Sequence, residues 1–233
     1  MIDVRPFDTL GRADHGWLDA RHHFSFASYY NPDRMAWGRI RVWNDDTIAP
    51  QSGFPAHPHQ DMEIITFIRD GALSHQDSLG NEGRIAAGDV QVMTAGTGIM
   101  HAEFNREDEP VRLFQIWIET DEPGAAPHWG ERHFPARNAA GAWEVMASGR
   151  AGDEGSLPIR ADARILAANL ESGQRAVYEA DPARHLYLVA SDGAVRINDQ
   201  IVAQPRDGIA ISGESRVKVE ALGSTGIVMV DSR

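Results

Sequence analysis

No cysteine occurs in the 233 residues, which excludes disulfides and thiolate-bound metal sites. Basic residues are scarce as well: 22 Lys and Arg stand against 34 Asp and Glu, a net charge of −12, and no basic run breaks that balance. Nucleic acid and anionic membrane surfaces both require a basic footprint, so neither is expected as a direct partner. No uninterrupted apolar stretch approaches the length of a membrane span. The opening MIDVRPFDTLGRADHGW has neither the basic leader nor the apolar core of a signal peptide, so a cytoplasmic location is expected. Long helical periodicity is also lacking, which turns attention to strands.

Hydrophobic residues make up 42% of the chain, enough for one large core or two modest ones. MEIITFI (62–68), DVQVM (89–93), RLFQIWI (112–118), RHLYLVA (184–190) and GIVMV (226–230) are rich in β-branched and aromatic side chains. Gly, Asp, Asn and Pro separate them, and the hairpin dipeptides Asp70-Gly71 and Asp192-Gly193 lie between such runs. The pattern predicts an all-β sandwich or barrel. EIITFIRDGALSHQD (63–77) overlays HLYLVASDGAVRIND (185–199), and GDVQVMT (88–94) overlays GIAISGE (208–214). Such self-similarity predicts a duplicated β-domain. The Pro-, Gly- and Ala-rich PGAAPHWGERHFPARNAAGA (123–142) is the expected joint, dividing the chain into 1–125 and 126–233.

Two short stretches carry chemistry. In FPAHPHQDMEI (54–64), His57 and His59 stand two apart, so on an extended strand both imidazoles face one way. In TAGTGIMHAEF (94–104), His101 and Glu103 repeat that spacing, behind Gly96 and Gly98. Three imidazoles and a carboxylate make a mixed N/O set suited to a first-row divalent metal, with positions left open for water, substrate or dioxygen. Glu63 shares the parity of His57 and His59, so spacing leaves the carboxylate open between Glu63 and Glu103. In the second copy, Glu179 and Asp181 overlay the first pair, and Ala221 and Gly223 overlay the second, so no metal site is expected there. His22 and His23 cannot both face one way on a strand; one of them could line the pocket, with a core or surface role the expected reading, and His75, two before Asp77, is read as an ordinary hydrogen-bonding residue. His128 and His133 fall in the joint, and His185 in a half without other ligands. Phe54, Met100 and Phe104 alternate with the proposed ligands, and most of them are expected on the opposite face, in packing.

The pattern Gly53-x3-His57-x-His59-x3-Glu63-x7-Gly71, followed by Gly88-x7-Gly96-x-Gly98-x2-His101, resembles the two cupin motifs. The fuller wording HPHQDMEIITFIRDGALSHQDSLGN and GDVQVMTAGTGIMHAE, with HHFSF (22–26) and QIWI (115–118), resembles the pirin family, nearest to its bacterial quercetinase-like members. That resemblance implies a bicupin: two β-barrel or jelly-roll cupin domains face to face, 1–125 binding one metal and 126–233 lacking the site. It places the ligands on His57, His59, His101 and Glu103, with Glu63 outside the set as a hydrogen-bond partner of an imidazole. Fe(II) is the expected metal, with nickel, cobalt, manganese, copper and zinc as alternatives for such donors. The implied reaction is opening of a flavonol such as quercetin by dioxygen at the 2,3-bond, with release of carbon monoxide and with Glu103 as base. Two other roles fit the same resemblance: a redox-sensitive regulatory partner of another protein, and a metallocupin acting on a different small enol or aromatic substrate.

Overall fold

Short β-branched and aromatic runs punctuated by turn residues give strands nearly throughout. The computed structural model describes residues 1–134 and 141–233; among them there is no α-helix, only 3₁₀ turns at Phe7–Thr9 and Pro32–Arg34. No helix among the described residues is long and apolar enough to cross a membrane. The chain begins with β1 (Ile2–Arg5), β2 (Gly11–Asp14), β3 (Leu18–His22), β4 (Ile40–Ile48), β5 (Ser52–His59) and β6 (Met62–Asp70). It continues with β7 (Ala72–Asp77), β8 (Glu82–Ala86), β9 (Asp89–Thr94), β10 (Ile99–Asn105), β11 (Val111–Glu119) and β12 (His128–His133). Next come β13 (Glu144–Ser148), β14 (Leu157–Pro158), β15 (Ala163–Leu170), β16 (Arg175–Glu179) and β17 (His185–Ala190). The last five are β18 (Val195–Ile197), β19 (Ile201–Ala203), β20 (Gly208–Ser212), β21 (Arg216–Ala221) and β22 (Thr225–Ser232).

Four sheets result. A seven-stranded sheet ordered β12-β9-β6-β11-β4-β3-β2 faces a four-stranded sheet, β5-β10-β7-β8. The second half repeats the plan with β1-β20-β17-β22-β15-β13-β14 and β16-β21-β18-β19. The central order β9-β6-β11-β4 recurs as β20-β17-β22-β15, so the internal repeat seen in the sequence is a repeat of topology, and the fold is the expected bicupin. Asp70-Gly71 and Asp192-Gly193 lie at the β6–β7 and β17–β18 turns.

The two seven-stranded sheets pack against each other, which explains why their strands read as unbroken apolar runs. In β6, Ile65 and Phe67 enter the core shared by both halves, while Ile64 and Ile68 point into the first barrel. In β15, Ile165 and Ala167 enter the shared core, and Leu166 and Ala168 fill the second barrel. Each large apolar side chain fully buried in this way contributes about 1.5–3 kcal/mol. Strands of the four-stranded sheets have one wet face and alternate instead: β16, RAVYE, buries only Ala176 and Tyr178.

Polar ties cross the shared core. The His23 ring nitrogen Nδ1 lies 2.9 Å from the Tyr187 hydroxyl, and Trp37 Nε1 donates to Leu186 O at 2.9 Å. The buried Asp45 carboxylate is paired with Arg69 from its own half and with Arg206, at 2.6 Å, from the other. Two strands lie across the expected division at 125/126. β1 is antiparallel to β20, with Ile2 opposite Ile211, and β12 is antiparallel to β9, with His128 opposite Thr94. The expected joint therefore holds a strand at its centre; edge pairing is made by backbone groups, and linker-like composition did not prevent it. Residues 135–140 of that stretch lie outside the described residues.

Candidate metal centre

β10 is an inner strand of the four-stranded sheet, and its residues alternate: Ile99, His101, Glu103 and Asn105 are buried, while Met100 and Phe104 are exposed. β5 lies against it with His59 opposite Ile99 and His57 opposite His101. The imidazoles of His57, His59 and His101 converge, with ring centroids 4.9 Å apart for His57–His59, 4.4 Å for His57–His101 and 4.9 Å for His59–His101. One ring nitrogen from each lies within 4.8 Å of the others, a separation that one ion can bridge. Glu103 groups by the same criterion with His101 and His75, so His101 is common to both trios.

Burial pushes the His59 ring down to about 4, helped by His101 and His57, and the His101 ring down to about 3, helped by His57 and His75. Both rings are thus neutral at neutral pH, the form that offers a lone pair to a metal. His57 Nδ1 faces Pro55 O at 2.8 Å, which leaves its other nitrogen bare. Neither ring nitrogen of the buried His101 has a partner among the described residues, an arrangement costly for a core imidazole and suited to a metal ligand. The donor set therefore fits a divalent metal.

Glu103 is held from the facing sheet. One polar residue from each of five neighbouring strands lines up laterally: His22 opposite Asn44, Asn44 opposite Gln115, Gln115 opposite Thr66 and Thr66 opposite Gln91. Gln115 Nε2 donates to Glu103 Oε2 at 2.8 Å, while Thr66 Oγ1 and Gln91 Nε2 donate to Oε1 at 3.3 and 3.2 Å. At the other end of the row His22 Nδ1 meets Asn44 Oδ1 at 2.8 Å.

A cavity of about 630 Å³ opens beside these groups. His57, Glu103, Gln115, His22, Asn44 and Asp46 form its polar side, and Trp17, Leu18, Phe26 and Phe54 its apolar side. Asp46 is buried with Oδ1 unpartnered among the described residues. Burial first, then Asp45 and Glu103, hold its carboxyl well above the usual carboxylate range.

Several expectations need correction. His22 is neither core nor surface but lines the cavity, its pKa lowered chiefly by burial; His23 is a core residue between the halves. Phe54 also lines the cavity, its ring edge-on to Trp17 at 5.0 Å. The β5–β10 register slips by one between His101 and Glu103, so Phe54 rather than Pro55 lies opposite Glu103, and the simple parity rule fails there. Met100 and Phe104 do take the opposite face, and both are partly exposed.

Glu63 accepts from Thr94 Oγ1 at 2.6 Å and shares the side of β6 with Ile65 and Phe67, facing the second half and not the imidazoles. Its parity with His57 and His59 is broken where the chain passes between sheets, at Asp61 with φ 48°.

The sequence reading missed His75 as part of the site. β7 places His75 opposite Glu103 and Asp77 opposite His101, both side chains fully buried. The expected His75–Asp77 hydrogen bond exists, Nε2 to Oδ2 at 3.2 Å, but it stands inside the centre. The available signal was the same i, i+2 spacing on a strand that had marked the other two pairs. In the second barrel, Ala176, Tyr178, Val217, Val219 and Ala221 fill the interior, and no comparable ligand group occurs there among the described residues.

Two family models match the chain: one described as Pirin over residues 3–118, and one described as Quercetinase C-terminal cupin domain over residues 145–231. A pirin-like protein of Caulobacter vibrioides is 54% identical over 232 residues, covering 100% of both chains. A quercetin 2,3-dioxygenase of Escherichia coli is 38% identical over 232 residues, covering 99% of this chain and 98% of that one. Among solved structures, the bacterial pirin YhhW from Escherichia coli in complex with nickel(II) superposes with a TM-score of 0.92 at 37% identity, covering 100% of this chain and 99% of that one.

Proposed function

The chain belongs to the pirin family, and on that premise we propose that it is a metal-dependent dioxygenase cleaving flavonols such as quercetin at the 2,3-bond with release of carbon monoxide. His57, His59, His101 and Glu103 would hold one divalent transition metal, Fe(II) in the cell, with nickel, cobalt, manganese, copper and zinc able to occupy the same donors. The nickel(II) complex of the related pirin YhhW supports a divalent ion at this centre. Such an ion would supply Lewis acidity and, where it is redox-active as Fe(II) is, electron exchange with dioxygen, which none of the chain's own side chains provides.

The observation that carries the reading is the aromatic-walled cavity of about 630 Å³ whose lining includes His57 and Glu103. Trp17, Phe26 and Phe54 offer flat apolar surface to a planar ring and keep water from it. His22 and Asp46, both lining the cavity, would meet the oxygen substituents of such a ring. Glu103 Oε2 accepts from Gln115 alone, which leaves it a lone pair with which to take the proton of a substrate hydroxyl. A purely regulatory pirin would need no such enclosed aromatic wall.

The test is quercetin-dependent oxygen uptake and carbon monoxide release by Fe(II)-loaded protein, with His101→Ala prepared identically. Turnover in the parent and none in the variant is expected. No uptake by parent protein with a demonstrably filled site would overturn the flavonol reading.

A further inference from the structure

The centre contains three buried ring nitrogens that lack partners among the described residues, one on His75 and two on His101. The Asp77 carboxylate acts throughout as an acceptor: Oδ1 receives the backbone N–H groups of Leu79 and Asn81 at 2.9 and 3.1 Å, and Oδ2 receives Asn81 Nδ2 at 2.9 Å. The His75 nitrogen facing this carboxylate, Nε2 at 3.2 Å from Oδ2, must therefore be the one that carries hydrogen. That fixes the tautomer and leaves Nδ1 a bare acceptor, which is buried and has no partner among the described residues. The ring cannot turn away, since it lies flat on Trp129 at 5.1 Å and 12°, and Trp129 is itself packed under Gly83.

Beside it stands His101, ring centroids 5.4 Å apart, with both nitrogens buried and unpartnered. Once one of these nitrogens binds a metal, the other carries hydrogen and needs an acceptor. For His57 that outer partner is Pro55 O. For His101 no backbone carbonyl serves among the described residues.

We propose that His75, braced by Asp77, is the outer hydrogen-bond partner of His101 when that ring holds a metal, forming a chain of carboxylate, imidazole and imidazole behind the ion. This rests on the metal-centre reading, though not on flavonol turnover. Both are positioning residues. They fix the His101 tautomer and increase its electron donation to the ion.

The test is Co(II) affinity, measured by competition with a chromogenic chelator, together with the visible spectrum of the Co(II)-loaded protein. His75→Phe keeps the stack on Trp129 and removes the acceptor; a loss of roughly 10- to 100-fold in affinity and a shifted spectrum are expected. Asp77→Asn keeps the shape, but its amide can donate to His75 and reverse the tautomer, so it should weaken binding in the same direction. His75→Gln retains an acceptor oxygen and should recover part of the loss. If His75→Phe does not fold, as read from the melting temperature of the metal-free protein, Asp77→Asn and His75→Gln decide. Parent-like affinity and spectrum in all folded variants would overturn the proposal. Failure of the parent itself to bind Co(II) would overturn the metal centre with it, an outcome distinct from equal binding by parent and variants.

Discussion

Three of the roughly four lone-pair sites on Glu103 are taken by neutral donors from Thr66, Gln91 and Gln115. That carboxylate is consequently fixed in place, with its one free site on Oε2. His101→Ala should abolish metal uptake, while Glu63→Gln, on the face turned toward the second half, should retain the parent's metal content; elemental analysis of the two purified variants decides. Acid should act on the same rings. The folded-state values of His59 and His101, about 4 and about 3, lie below their ordinary 6.5, so the unfolded chain binds more protons between these limits. Stability of the metal-free protein therefore falls as pH drops from about 6.5 toward 4. The urea midpoint should be lower at pH 5 than at pH 7, and His101→Ala should reduce the difference. At this scale the paired histidines were legible because strand parity alone puts i and i+2 on one face. Phe54 and Glu63 were not, because a bulge and a change of sheet each reset parity, and neither leaves a local mark in composition.

β5 and β10 leave no room for a side chain at Gly53. A Cβ at Gly53 would lie 2.2 Å from Glu103 O and 2.5 Å from Phe104 Cα, both rigid backbone atoms. Gly53→Ala should force the two strands apart at the centre's edge, destabilising by about 1–3 kcal/mol and weakening metal affinity. Gly155→Ala, with nothing within 4 Å of the new methyl, is the matched control, and thermal melts of both variants with and without metal check the expectation. The hairpins and the duplicated strand order were readable from Asp-Gly turns and from apolar runs with period two or none. The pairing of β1 with β20 was not, because the recognition is between backbone edges some two hundred residues apart.

The two halves share one core, tied by Trp43 against Tyr187 at 5.4 Å and by Arg206 on the buried Asp45. They should unfold together, giving a single calorimetric endotherm. Tyr187→Phe leaves His23 without its partner and should lower stability by about 1–2 kcal/mol while the endotherm stays single; two resolved transitions in the parent would refute the shared-core account. The duplication was evident from the repeat and the bicupin plan from the resemblance to pirins, whereas the way the halves lock could not be read, since His23 and Tyr187 lie in separate copies with no motif linking them.

The placement of β1 also sets an order of events in time. A ribosome delivers Gly208–Ser212 more than two hundred residues after Ile2–Arg5, the strand it pairs with. At about 5–20 residues per second the first strand waits roughly 10–40 s without its partner. The first barrel can close its own sheets during that interval, so β1 is fastened after strands that follow it in the chain.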